Sequence, residues 1–307
     1  MNTSQRYLRG RRSALLGLIT NAVLVVIKLA AGFLGHSYAL IADGVESTAD
    51  IFSSLIVWRG LKIASRQPDQ RHPFGYGKAE SIAAAAVALM LLAAAVGISV
   101  QAVREILTPH HSPAPFTLLV LVVVIFTKEL LFRYVFTVGS EVRSLAVQTD
   151  AWHHRSDAIT STAAFIGISA ALLGGPAWAE ADDYAAVAAS VIIATNGLRF
   201  LRLALSDLMD ASPGPEVLEA ITTAALAVEG VRAIEKVLAR RSGTGYRVVL
   251  HVQADPDMPL HEAHALGGRV RRRLASSADV VDAVIHMEPY SAKPDRPIDR
   301  RESVEAS

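Results

Sequence analysis

Apolar runs long enough to cross a bilayer recur six times along the chain, at about Ser13–Leu34, Tyr38–Ala64, Ser81–Val103, Phe116–Val138, Ser144–Leu173 and Tyr184–Leu205. A crossing helix needs ~20 mostly apolar residues at ~1.5 Å rise each. The third run is free of charge throughout, whereas the second and fifth carry clustered acids and histidines. The intervening segments sort by lysine and arginine. Gly35–Tyr38, Thr108–Pro115 and Gly174–Tyr184 contain none, while the N-terminus, Arg66–Lys78, the stretch around Arg143 and the chain after Arg199 contain many. Basic loops stay on the cytoplasmic side, so the pattern predicts six crossings with both termini inside. Arg6, Arg9, Arg11 and Arg12 ahead of the first run resemble the start of a signal peptide, but no small-residue cleavage site interrupts the run. It is expected to be a retained span.

Past Asp210 the pattern changes. Pro213 and Pro215 break the helix, and Pro215–Val228 has helical spacing. Val231–Arg240 and Tyr246–Gln253 alternate as strands around the turn Ser242-Gly-Thr-Gly245. Leu260–Leu274 reads as an amphipathic helix with Leu260, Ala263, Val270 and Leu274 on its apolar side, and Val280–Met287 as a third strand. The order α-β-β-α-β predicts a small open sheet with helices on one face. The expected fold is a membrane all-α six-helix bundle plus a small cytoplasmic α+β domain. Its expected segments are a basic cytoplasmic N-terminus (1–12), a membrane domain (13–210), a soluble domain (211–290) and a polar, disordered tail (291–307).

Composition agrees: 51% of the 307 residues are hydrophobic, and the charges crowd at the ends of the chain. The net charge of +1 therefore says little, and no basic face recurs that would argue for a nucleic-acid partner. The absence of cysteine excludes disulfides and thiolate metal sites.

The acids of the second and fifth runs form twin motifs. Asp43-Gly-Val-Glu46-Ser-Thr-Ala-Asp50 and Asp150-Ala-Trp-His153-His-Arg-Ser-Asp157 share the pattern Asp-x-x-(Glu/His)-x-x-x-Asp, 107 positions apart. Offsets of three and seven put the three polar residues of each copy on one helix face. Ionisable groups at membrane depth cost ~2.5–3.5 kcal/mol each on insertion scales, so they mark function or pairing. The depth of the motifs is near the bilayer midplane, where transporters keep their substrate site. Glu46, Asp50, His153 and Asp157, two ligands four apart from each helix, would complete four-coordination of one metal ion. Asp43 and Asp150 are expected to support the site or carry protons, and His154, Arg155, Lys28, Asn21, Lys128 and Glu129 to make solvated or interhelical contacts. In the soluble domain the alternation leaves His251 on the polar face of its strand, and His286 with Glu288 on the face opposite Val281, Ala283, Ile285 and Met287, while His261 and His264 lie three apart on a helix. A second, water-facing metal site is expected there.

Ala39-Leu-Ile-Ala-Asp43 with Ser47 and Asp50-Ile-Phe-Ser-Ser54, His72-Pro-Phe-Gly75-x-Gly77-Lys78-x-Glu80, and Ala151-Trp-His153-His-Arg-Ser-Asp157 together resemble the cation diffusion facilitator family of divalent-metal transporters over about Ser13–Pro289. The resemblance implies a metallochaperone-like cytoplasmic domain, a homodimer in a bacterial cytoplasmic membrane, and export of a divalent metal in exchange for protons. It implies cytoplasmic ligands at His251, His264, His286 and Glu288, with Glu235 where a histidine is common, and a structural charge pair, Lys78 with Asp210. A loop site would use Asp69 and His72, but Tyr76 replaces its other histidine. Glu46 stands where Asp or His is usual, and the Val138–Ser144 loop lacks a His-rich insertion.

Three carboxylates around a dication imply that protons leave as metal binds, because ligands must be deprotonated. Zn2+ is expected as cargo, with Fe2+ or Mn2+ next and Co2+ and Cd2+ admitted by so hard a ligand set. An intramembrane metalloprotease would need His-Glu-x-x-His, and His261-Glu-Ala-His264 is one residue too short. Gly75-Tyr-Gly-Lys78 lacks P-loop spacing. The alternative kept is a membrane-anchored metal sensor or storage protein that binds without conducting.

Overall fold

The computed structural model describes residues 3–34, 38–107, 117–174, 181–277 and 279–291. Some side chains within those ranges, including those of 38–46, 49 and 50, lie outside the description. The expected tail from residue 292 onward, and His110 and His111, lie outside it too. The chain divides into two compact units, Met1–Asp210 and Ala211–Ser307.

The first unit holds α1 (Thr3–Leu34), α2 (Tyr38–Ala64), α3 (Lys78–Leu107), α4 (Thr117–Val142), α5 (Leu145–Gly174) and α6 (Ala181–Leu208). Each overlaps the apolar run that predicts it, with ends displaced by a few residues. The exception is α1, which starts ten residues before Ser13, so the basic N-terminus is helical. Once a helix is nucleated each added residue gains a bond, and Arg9 gains an ion pair with Glu141 at 2.6 Å. Ser4–Ala30, Lys78–Arg104 and Val187–Leu208 are long and apolar enough to cross a membrane by length and composition.

Small residues set the packing. Val57, Leu61, Ala83, Ala84, Val87, Ala146, Val147 and Ala151 form a buried seam shared by α2, α3 and α5. In lipid, helices associate through such close backbone approach rather than through a hydrophobic drive. Gly60 shows how close: a Cβ there would lie 2.5 Å from that of Ala83. Two further glycines fix the helix directions. A Cβ on Gly10 would lie 3.2 Å from Leu61 and 3.4 Å from Val147, and one on Gly17 would lie 3.1 Å from Ser54 and 3.0 Å from His154. Moving up α1 thus moves down α2 and up α5, so α2 and α5 run antiparallel.

The second unit comprises α7 (Pro215–Leu226), β1 (Ala233–Ser242), β2 (Gly245–Ala254), α8 (Leu260–Ser277) and β3 (Val280–Pro289). Pro215 opens α7 at the first turn, where its missing N–H costs nothing. The sheet order is β1-β2-β3, with β1–β2 antiparallel and β2–β3 parallel across the α8 crossover. Ile221, Leu250, Leu266, Val270 and Leu274 are fully buried between the helices and one face of the sheet. Two sequence expectations are corrected here. Leu260, at the first turn of α8, overhangs the core edge and is 86% exposed. Val281 is exposed because the β2–β3 register skips it, Tyr246 pairing with Val280 and Arg247 with Asp282. Such a bulge re-aims a side chain.

Candidate metal sites

The membrane unit brings the two acidic helices together directly. Ser53 and Ser54 of α2 donate hydrogen bonds to the Asp150 carboxylate of α5, at 2.6 Å and 3.3 Å. Asp150 is fully buried, and His154 Nε2 lies 3.7 Å from its second oxygen. Asp150 therefore ties the helices through hydroxyls, which suits a supporting role. His153 is buried one turn farther along α5. Asp157, another turn on, is partly exposed and accepts from Lys128 Nζ at 2.7 Å. The Glu46, Asp50 and Asp43 side chains lie outside the described residues.

Three neighbours take the interhelical alternative. Lys128 lies mid-helix in α4, is 1% exposed, and also donates to Asn21 Oδ1 of α1 at 2.9 Å. His154 is buried against α1 at Gly17. Arg155 stacks over Phe132 at 4.5 Å and Trp152 at 5.2 Å, an interhelical cation–π contact between α4 and α5. Lys28 donates to Ser47 Oγ at 2.7 Å, joining α1 to α2.

In the loop before α3, Asp69 is already satisfied. Its Oδ1 accepts the backbone N–H groups of Arg71 and His72 at 3.0 Å and 2.7 Å, and its Oδ2 accepts the Tyr76 hydroxyl at 2.7 Å. His72 stacks on the Tyr76 ring at 4.2 Å. The Tyr76 bond, with the backbone N–H of His72, holds Asp69 below its ordinary pKa, and the same bond pushes Tyr76 up. The tyrosine thus bridges Asp69 and His72. Lys78, at the start of α3, pairs with Asp210 and also donates to the Asp207 carbonyl. A cation there complements the exposed carbonyl end of α6.

The soluble unit gathers three of its expected ligands. His251 on β2 pairs with His286 on β3 in the parallel register, their rings 4.9 Å apart. Glu288 Oε1 lies 2.6 Å from His251 Nδ1 and 3.4 Å from His286 Nε2. Ligand atoms of His251, His286 and Glu288 all fall within 4.8 Å of one another, so one ion could bridge them. Glu235, at the β1 bulge, joins them by a hydrogen bond to Glu288. His264 does not join: it is exposed on α8, on the far side of the sheet from His251, and His261 is exposed beside Glu262. Both strand histidines lie on the open face because Leu250 and Val252 alternate with His251 into the core.

The Glu235 and Glu288 carboxyls are hydrogen-bonded to each other. The hydrogen bond to Glu288, with some burial, raises Glu235. Burial also pushes Glu288 up, but the bonds from Glu235 and His251 outweigh it and hold Glu288 down. The sign follows from linkage. A raised carboxyl adds stability below its unfolded pKa and loses it as pH climbs through the folded value. Glu235→Gln, which donates at every pH, should therefore gain thermal stability over the metal-free parent as pH rises above about 4. Melting curves across a pH series test this, and a constant difference would rule out the raised Glu235.

Comparison with known proteins matches this division. The family model of the cation efflux transmembrane domain covers residues 14–209, and that of the cation efflux protein cytoplasmic domain covers 213–290. The manganese efflux system protein MneP of Bacillus subtilis is 30% identical over 292 residues, 94% of this chain and 98% of that protein. The magnetosome protein MamB of Magnetospira sp. is 32% identical over 251 residues, 81% of this chain and 85% of that protein. The cation-efflux pump FieF of Cronobacter sakazakii is 28% identical over 284 residues, 92% and 94% of the two chains. With apolar helices of spanning length on one side and a family of transporters rather than enzymes on the other, the chain belongs to the cation efflux (cation diffusion facilitator) family of integral membrane proteins that move divalent metal cations.

Proposed function

We propose that the protein exports a divalent transition metal from the cytoplasm in exchange for protons, through a site made by Glu46, Asp50, His153 and Asp157. The contact of Ser53 with Asp150 carries this reading. Because α2 and α5 are antiparallel, three residues back along α2 and three forward along α5 bring Asp50 level with His153. Four more in each direction bring Glu46 level with Asp157. The two halves of the duplicated motif then meet pair by pair, which packing alone does not require.

Metal entry displaces protons from over-anionic ligands, and reversing access exchanges one species for the other across the bilayer. The donor set is hard, three carboxylates to one imidazole, so Mn2+ and Fe2+ compete with Zn2+ for it. The relative named as a manganese efflux protein supports including Mn2+ beside Zn2+, which leads as the proposed cargo. The test is flux into proteoliposomes under an imposed pH gradient, one metal at a time. A sensor that only binds would move none, and flux indifferent to the gradient would remove the proton exchange.

The functional unit is a homodimer in a bacterial cytoplasmic membrane, with both termini and the soluble unit in the cytoplasm and His251, His286, Glu288 and Glu235 as a second metal site. A feature of the sheet supports the dimer. Leu238, Val249 and Val284 are paired across the three strands on the open face, and are 50%, 37% and 58% exposed. An aliphatic row of this kind beside a polar cluster marks a contact surface. Val249→Glu should shift the detergent-solubilised protein from dimer toward monomer, by about tenfold or more in dissociation constant. Light scattering across a dilution series reads this, and an unmoved dimer would place the interface elsewhere.

A further inference from the structure

Lys128 is the feature of the membrane unit that the proposed exchange leaves unused. It lies mid-helix in α4, almost fully buried, with its ammonium shared between Asp157 Oδ2 of α5 and Asn21 Oδ1 of α1 at 2.7 Å and 2.9 Å. Asn21 is buried as well. A buried charge in an apolar helix is kept for its partner, and here the partner is the carboxylate read above as a metal ligand.

We infer that Lys128 is a tethered counter-cation of the transport site. It holds Asp157 when no metal is bound, and gives up that oxygen to an arriving dication while remaining bonded to Asn21. This inference rests on the assignment of Asp157 to the transport site.

Two arguments favour it. The first is charge. Glu46, Asp50 and Asp157 carry three negative charges against the two of a divalent ion, and the ammonium supplies the third positive charge. The ligands, the ion and the ammonium then sum to zero without any added proton. The second is mechanical. A lysine is a compact charge on a flexible four-carbon stem, so its head can shift between two acceptors without moving its helix. Asn21 is already in place to receive it. Repulsion between the ammonium and a dication a few ångströms away weakens metal binding and speeds release. Lys128 thus sets the balance between affinity and turnover.

The test compares the parent, K128M, K128R and D157N in proteoliposomes, with Zn2+ uptake measured against concentration at a fixed pH gradient. K128M should lower KM roughly tenfold and lower the maximal rate with it, since a dication no longer repelled binds tighter and leaves more slowly. K128R, which keeps the charge, should keep the parental KM. A residue that merely staples α1, α4 and α5 gives the opposite split, a reduced maximal rate with KM unchanged or raised, and that result would overturn the inference. If K128M does not reach the membrane, K128Q, uncharged but still a donor, carries the same expectation. D157N separates the two readings. Parental uptake by D157N would remove Asp157 from the transport site. An inactive D157N beside a K128M of parental KM would remove only the counter-cation.

Discussion

Asp157→Asn should reduce metal–proton exchange to background, a loss of at least about a hundredfold. Replacing groups that only support a metal's ligands already costs ~10–100-fold, and an amide in place of a ligating carboxylate removes both the charge and the strong donor. The fold should survive, because the amide oxygen can still accept from Lys128, which also keeps its bond to Asn21. Asp157→Ala is the harsher variant, since removing one member of a buried ion pair costs ~3–5 kcal/mol by leaving the other charge uncompensated. Asp157 is partly exposed and Asn21 remains, so the cost here falls below that range. Proteoliposome flux together with a melting curve distinguishes the two effects: a folded, inactive Asp157→Asn supports the site, and a folded, fully active one excludes Asp157 from it.

The second large effect is expected at the soluble unit. Glu288→Gln should weaken metal binding at the cytoplasmic site by about a hundredfold, because Glu288 is the group that both histidines approach. Measured on the full chain carrying Asp157→Asn, so that the membrane site is silent, the remaining phase of a calorimetric titration with Zn2+ should weaken by that factor. Transport by Glu288→Gln alone should continue, with any change confined to its dependence on cytoplasmic metal. Undiminished binding in Glu288→Gln would mean that the ion uses other ligands.

Much of this was legible from pattern, because hydrophobic period and charge asymmetry are local properties. The six long helices overlap their predicted runs, and the α-β-β-α-β order holds. The alternation of Val248, Leu250 and Val252 put His251 on the open face before any register was known. What the sequence hid depends on which helices and strands meet. Lys128 reads as a lysine of interhelical contacts, but its partners, Asn21 and Asp157, emerge only once α4 is packed beside α1 and α5. His264 has suitable chemistry, but its helix turns it away from the strand histidines. Val281 continues an inward alternation that a single bulge reverses, and nothing in its neighbours announces the bulge. Gly17 looks ordinary in a helix, yet only its missing side chain lets Ser54 and His154 come so near.

The bond between Tyr76 and Asp69 also decides how the segment leading into α3 responds to its surroundings. Asp69 stays ionised below its reference value of 3.8, and Tyr76 keeps its proton above 10.0. The bond thus widens, on both the acid and the alkaline side, the pH range over which the clasp holds. It needs no ion, so stripping metal with a chelator should leave this turn as ordered as before. The entrance to α3 is thus held by protein groups alone, whatever ion the bundle beside it carries.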